Sequence, residues 1–90
     1  MFVSIVCEIS NDDNKIALKH LFVEYGFKQI FECLYESAKI KEKELARLKR
    51  DIDRRTDSYD SVRIYQYPLD EVLVITTLSD KRWRRVVVKR

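Results

Sequence analysis

The run Phe2-Val-Ser-Ile-Val-Cys-Glu-Ile9 constrains the fold more than any other stretch. It is short, almost wholly apolar, and closed at once by Ser10-Asn-Asp-Asp13. A strand with one solvated face alternates apolar and polar residues, whereas an apolar run on both parities fits a central strand covered on both sides. Its one acid, Glu8, stands near the carboxyl end, and loops at strand ends are where a rigid scaffold usually presents chemistry. The rest of the chain is therefore expected to assemble around this strand.

Beyond Ser10 the hydrophobic period switches between helical and strand-like. Asn11 or Asp12 is placed to cap a helix by accepting its free N–H groups. Ala17, Leu18, Leu21, Phe22 and Tyr25 recur at helical spacing, and Gly26 supplies a left-handed terminator, so a helix is predicted over 13–25. Residues 27–36 are strand-like, with Phe27, Gln29, Phe31, Cys33 and Tyr35 on one parity. No Gly or Asn marks a turn there, which leaves open one long strand or a hairpin turning near Glu32. Leu45, Leu48 and Ile52 give a narrow helical stripe over 40–55, although Lys41 stands where a capping Ser or Asp is expected. After the polar connection Thr56–Asp60, Val62–Tyr67 alternates strictly, as a half-buried strand does. Pro68-Leu-Asp70 is read as a turn, Val72–Thr77 as a strand, and Arg85–Val88 as a short final strand.

That order predicts an α+β fold, the ferredoxin-like split βαβ sandwich: an antiparallel sheet with two helices on one face and an extra C-terminal strand. Residues 1–78 form the domain and 79–90 a basic C-terminal segment. Two helices cover only one sheet face, so the other is expected to meet a second subunit. A 90-residue chain buries only about 60% of its unfolded surface, and a homodimer relieves that limit.

The net charge of +3 is unevenly spread. Residues 1–38 carry three basic and six acidic groups, a net of −3, and residues 56–79 one and four, again −3. Residues 39–55 carry eight and four, a net of +4, and residues 80–90 six and one, a net of +5. Two basic blocks in an otherwise acidic chain fit a polyanion-binding footprint. The candidate phosphate contacts are Lys39, Lys43, Arg47, Arg50, Arg54, Arg82, Arg84 and Arg85. Arg63 is either a further contact or the partner of a carboxylate.

Other classes recede. No apolar run approaches the about 20 residues of a membrane span, and the first residues lack the pattern of a signal peptide, so no membrane partner and a cytoplasmic location are expected. Cys7 and Cys33 have no metal-ligand spacing and are read as two reduced core thiols. The single His20 excludes a histidine-rich metal site and is expected on a helix surface.

Four short stretches resemble the small Cas-two proteins of CRISPR adaptation. They are Val6-Cys-Glu-Ile-Ser10 with the acids after it, Tyr25-Gly-Phe27, Phe31-Glu-Cys-Leu-Tyr-Glu36 and Asp60-Ser-Val-Arg-Ile-Tyr65. They occur in the family's order and spacing, over residues 1 to about 78. The resemblance implies a ferredoxin-like homodimer in which Val72–Thr77 extends the partner's sheet. It implies a function in spacer acquisition: bridging two dimers of a Cas-one type integrase and holding double-stranded DNA. Several relatives are metal-dependent nucleases in which a first-strand aspartate from each subunit holds magnesium. Here Glu8 takes that position, with a carboxylate displaced by about one C–C bond length. Glutamate oxygen also ligates hard cations, so a magnesium-dependent endonuclease, or a toxin-type ribonuclease on the same scaffold, is the alternative. Asp12 or Asp13 would then stand near the metal; otherwise both serve the first turn of the helix. An RNA-recognition domain shares the element order, but Tyr25-Gly-Phe27 closes a helix rather than lying on a third strand.

Overall fold

A computed structural model describes all 90 residues, Met1–Arg90. The elements run β1 (Phe2–Glu8), α1 (Asp12–Glu24), β2 (Lys28–Phe31), β3 (Leu34–Ser37), α2 (Glu42–Arg54), β4 (Ser61–Leu69), β5 (Val72–Ser79) and β6 (Arg82–Lys89). All strands join one antiparallel sheet in the order β2-β3-β1-β4-β5-β6. The first four strands and two helices are the ferredoxin-like split βαβ unit, and β5 and β6 extend it on one side. β1 lies inside the sheet, between β3 and β4, as its apolar run requires.

Parity along the strands separates the two faces. Val3, Ile5, Tyr35, Val62, Ile64 and Leu78 are buried under the helices. Leu18, Leu21 and Phe22 of α1 and Leu45, Leu48 and Ile52 of α2 meet them in one core. Val74, on the same parity, is buried outside that cluster. The opposite face has no cover within the chain. Across it Val6 pairs with Leu34 and Arg63, while Tyr65 pairs with Ile75, which pairs with Val86. Val86 is 56% exposed there.

The local chemistry explains the boundaries. Asn11 caps α1, its side chain accepting the Asn14 N–H at 3.1 Å. At the other end Phe27 N–H donates to the Phe22 carbonyl at 2.9 Å and Gly26 N–H to the Val23 carbonyl at 3.0 Å. With Gly26 at φ 85° and the Phe22 and Phe27 rings 6.1 Å apart, this is a full Schellman stop with its apolar contact. At the start of α2 the Lys41 N–H donates to Glu44 Oε1 at 3.0 Å. A lysine side chain cannot accept, so only this half of a capping box operates.

Residues 27–36 form a hairpin with a two-residue turn at Glu32-Cys33. Neither turn residue has a positive φ, so no Gly or Asn was needed. Gln29 pairs with Tyr35 and Phe31 with Leu34, which leaves Ile30 as a bulged residue. Cys33 therefore lies in an exposed turn rather than in a strand, and only Cys7 is partly buried.

Three expectations near the C-terminus need correction. Pro68 lies within β4, beside a register shift between Gln66 and Leu69, and the turn falls at Asp70-Glu71. The final strand covers Arg82–Lys89, pairing with β5 from Val72↔Lys89 to Ser79↔Arg82. Val72–Thr77 lies in the chain's own sheet, between β4 and β6, rather than crossing to a partner. At the β5–β6 hairpin Asp80 and Lys81 have φ 53° and 60°, the conformation of a type I′ turn, whose twist matches the strands it joins.

Candidate nucleic-acid interface

Two helices span the four-stranded unit, so β5 and β6 overhang it. A step results between the flank of α2 and the helix-facing side of the added strands. It forms a groove of about 480 Å³ lined by Lys49, Arg50, Asp53, Arg54, Thr76, Trp83, Arg84 and Arg85. Helical spacing puts Lys49 with Asp53, and Arg50 with Arg54, on the flank beside the Leu45–Leu48–Ile52 stripe. From the sheet, Thr76 and Arg85 are direct cross-strand partners, as are Leu78 and Trp83, on the parity that faces the helices. Arg84 pairs with Thr77 on the other parity and borders the groove along the free edge of β6.

Five cations thus face one acid, Asp53, whose Oδ1 lies 3.3 Å from Lys81 Nζ. Lys81 Nζ also donates to the carbonyls of Asp53 and Thr56 at the C-terminal end of α2. The β5–β6 turn is thereby tied to the helix, closing one end of the groove. Arg54 pairs with Asp51 at 3.4 Å, an exposed i,i+3 contact that holds it weakly. Burial pushes the Lys49 ammonium below its ordinary range, and the Arg85 guanidinium adds to this against Glu42. Positive charge is therefore crowded here, and a polyanion would relieve it.

The predicted basic residues divide accordingly. Arg50, Arg54, Arg84 and Arg85 come together in the groove. Lys39, Lys43, Arg47 and Arg82 do not line it. Lys39 precedes α2 and Lys43 lies in its first turn; both are exposed. Arg47 lies near Tyr25 and Asp51, where the Tyr25 hydroxyl donates to Asp51 at 2.9 Å and joins the two helices. Arg82 pairs with Ser79 at the end of the uncovered face. Arg63 also lies on that face and has no carboxylate partner; its guanidinium stands 5.4 Å from the Tyr65 ring centroid.

Lys49, Thr76 and Trp83 were missed in the sequence. Nothing in the charge pattern distinguishes Lys49 from its neighbours. Thr76 did carry a signal, being polar at the same strand parity as Val74 and Leu78.

A second cleft, of about 820 Å³, opens at the carboxyl end of β1. Glu8, Asp12 and Glu32 are among its lining, with Cys7, Cys33 and Tyr59. Glu8 is exposed and pairs with Ser61 on the uncovered-face parity. Asp13 is an exposed residue of the first turn of α1, and His20 is exposed as expected. No three His, Cys, Asp or Glu side chains stand close enough together to hold a metal ion.

Fold and groove together define a class: an α+β, ferredoxin-like protein with an extended sheet and a basic groove beside its second helix. No helix is long and apolar enough to cross a membrane. No family model matches the chain, and no curated protein matches it at a significant level.

Proposed function

We propose that the chain is a structural DNA-binding protein of the CRISPR-associated Cas-two type. In this reading a homodimer bridges two dimers of a Cas-one type integrase and holds the double-stranded fragment that becomes a spacer. The observation that carries it is the convergence of Lys49, Arg50, Arg54, Arg84 and Arg85 on one groove with a single acid. Such a groove holds phosphates without reading bases, as a protein accepting any fragment sequence must. The uncovered sheet face, apolar along Val6, Leu34, Ile75 and Val86, is the surface for the second copy. Sedimentation at micromolar concentration tests the dimer: Ile75→Glu should convert it to a folded monomer, and a wild type already monomeric would contradict it.

A magnesium-dependent endonuclease is the second reading. It is favoured by the exposed position of Glu8 at the end of the central strand, on the face assigned to the second copy. Two Glu8 carboxylates brought together would share a cation or a proton. Incubating RNA and duplex DNA with magnesium or manganese, wild type beside Glu8→Ala, separates the readings. The scaffold reading expects little cleavage by either protein and unchanged DNA binding. Strong metal-dependent cleavage that disappears in Glu8→Ala would replace it with the nuclease.

A further inference from the structure

The groove contains one group that nonspecific attraction does not explain. Thr76 is 5% exposed, and its hydroxyl oxygen is buried with no hydrogen-bond partner in the protein. Buried hydroxyls nearly always find a partner, and leaving one without is costly. Its neighbours along the sheet are Ile64 on one side and Arg85 on the other. Ile64 offers nothing polar, and Arg85 brings only donors. A threonine hydroxyl can donate, and what is missing here is an acceptor. The acceptor that suits a site ringed by Lys49, Arg50, Arg54 and Arg85 is an anion.

We infer that the groove between α2 and β5–β6 is a discrete phosphate-binding site, in which the Thr76 hydroxyl donates to a phosphate oxygen at its floor and Lys49 and Arg85 balance the charge above it. Phosphate presents several strong acceptor oxygens in a compact tetrahedron, so one group meets the hydroxyl and two or more cations together. Arginine forks match that geometry in pairs, and a lysine ammonium adds a point charge.

This deepens the DNA-binding reading, on which it rests for the biological source of the phosphate. The phosphate belongs either to a nucleic-acid backbone or to a free nucleotide; the chemistry at Thr76 is the same.

The sequence contains a single tryptophan, Trp83, and it lines the groove, so its emission reports occupancy. The intact protein is titrated with pyrophosphate against chloride at matched ionic strength. Wild type is expected to give a saturable change in emission with pyrophosphate and none with chloride. Thr76→Val keeps shape and charge, so it should weaken pyrophosphate about tenfold, the scale of one hydrogen bond to a charged group. The same change removes an unpaired buried hydroxyl, so the ligand-free variant should melt no lower than wild type. Lys49→Met with Arg85→Gln should abolish the response. Equal pyrophosphate affinity in Thr76→Val and wild type, or an equal response to chloride, would overturn the inference.

A second arm identifies the source. Pyrophosphate that competes with duplex DNA for Trp83 assigns the site to backbone phosphate. Saturable pyrophosphate binding without competition assigns it to a free nucleotide. If duplex DNA fails to bind at all, the DNA-binding reading falls while the pyrophosphate titration still decides the site.

Discussion

Asp60 and Ser10, fifty residues apart, are joined twice: Asp60 Oδ1 accepts the Ser10 N–H at 2.9 Å and the Ser10 hydroxyl at 3.1 Å. Asp60 Oδ2 accepts the Asp57 N–H at 2.9 Å. One buried carboxylate thus fixes the loop after β1 to the start of β4, and so positions the end of the strand that carries Glu8. The part of both residues here is to hold structure. Burial alone would push the Asp60 carboxyl up; the Ser10 and Asp57 donors, with Lys81, outweigh it and hold it below its ordinary value. A depressed folded value contributes stability that is present above the unfolded pKa, near about 4, and is lost as pH falls through the folded one. Asp60→Asn should cost about 1–3 kcal/mol at pH 7 and lose less stability than wild type between pH 5 and pH 3. Urea midpoints at the three pH values check both parts.

Gly26 tests the helix stop. A Cβ there meets nothing within 4 Å, so the cost of substitution is the left-handed backbone alone. Gly26→Ala should destabilise by about 1–2 kcal/mol and Gly26→Asn by less, measured by thermal unfolding.

Lys81 has two opposing effects. It holds a positive φ that disfavours any side chain, while its ammonium anchors the end of α2. Lys81→Ala keeps the strain and loses the anchor, for a cost of about 1 kcal/mol. Lys81→Gly loses the anchor but relieves the strain, and should stay within about 0.5 kcal/mol of wild type. Denaturant curves of the two variants should differ in that order.

The cysteines should react unequally. Burial pushes the Cys7 thiol up to about 11, with Cys33 and Asp60 adding to it. At pH 8 it is then about one part in a thousand thiolate, the reactive form. Iodoacetamide at that pH should label Cys33 in the exposed turn and reach Cys7 only after unfolding, as peptide mapping would reveal. Because the Cys7 value is raised from 9.0, its contribution to stability is present below pH 9 and fades as pH rises through about 11.

Much of the unit was legible because pattern and packing agreed. The doubly apolar β1, the Leu45–Leu48–Ile52 stripe and the alternation after Asp60 each gave element and face together. The rest was only partly legible, for local reasons. The Glu32-Cys33 turn runs through ordinary φ values, so it leaves no Gly or Asn. Only the Arg85–Val88 part of β6 was legible, because Arg82, Arg84 and Arg85 place charges on both parities of an edge strand whose side chains are mostly exposed. The groove was half legible: the basic blocks were visible, but which cations converge depends on the β5–β6 overhang beside α2. No local pattern encodes that juxtaposition.

The central claim is that phosphates meet this groove rather than the basic surface at large. The most direct test is the slope of log affinity for a random-sequence duplex against log salt concentration. Two triple variants with the same charge loss are compared with wild type: Arg50→Gln/Arg54→Gln/Arg85→Gln in the groove, and Lys39→Gln/Lys43→Gln/Arg47→Gln outside it. Each lost phosphate contact removes about 0.9 from the slope. The groove variant should therefore lose between about 2 and 3 units, and the outer variant less than about 1. Equal losses in the two variants, or an unchanged slope in the groove variant, would contradict the account.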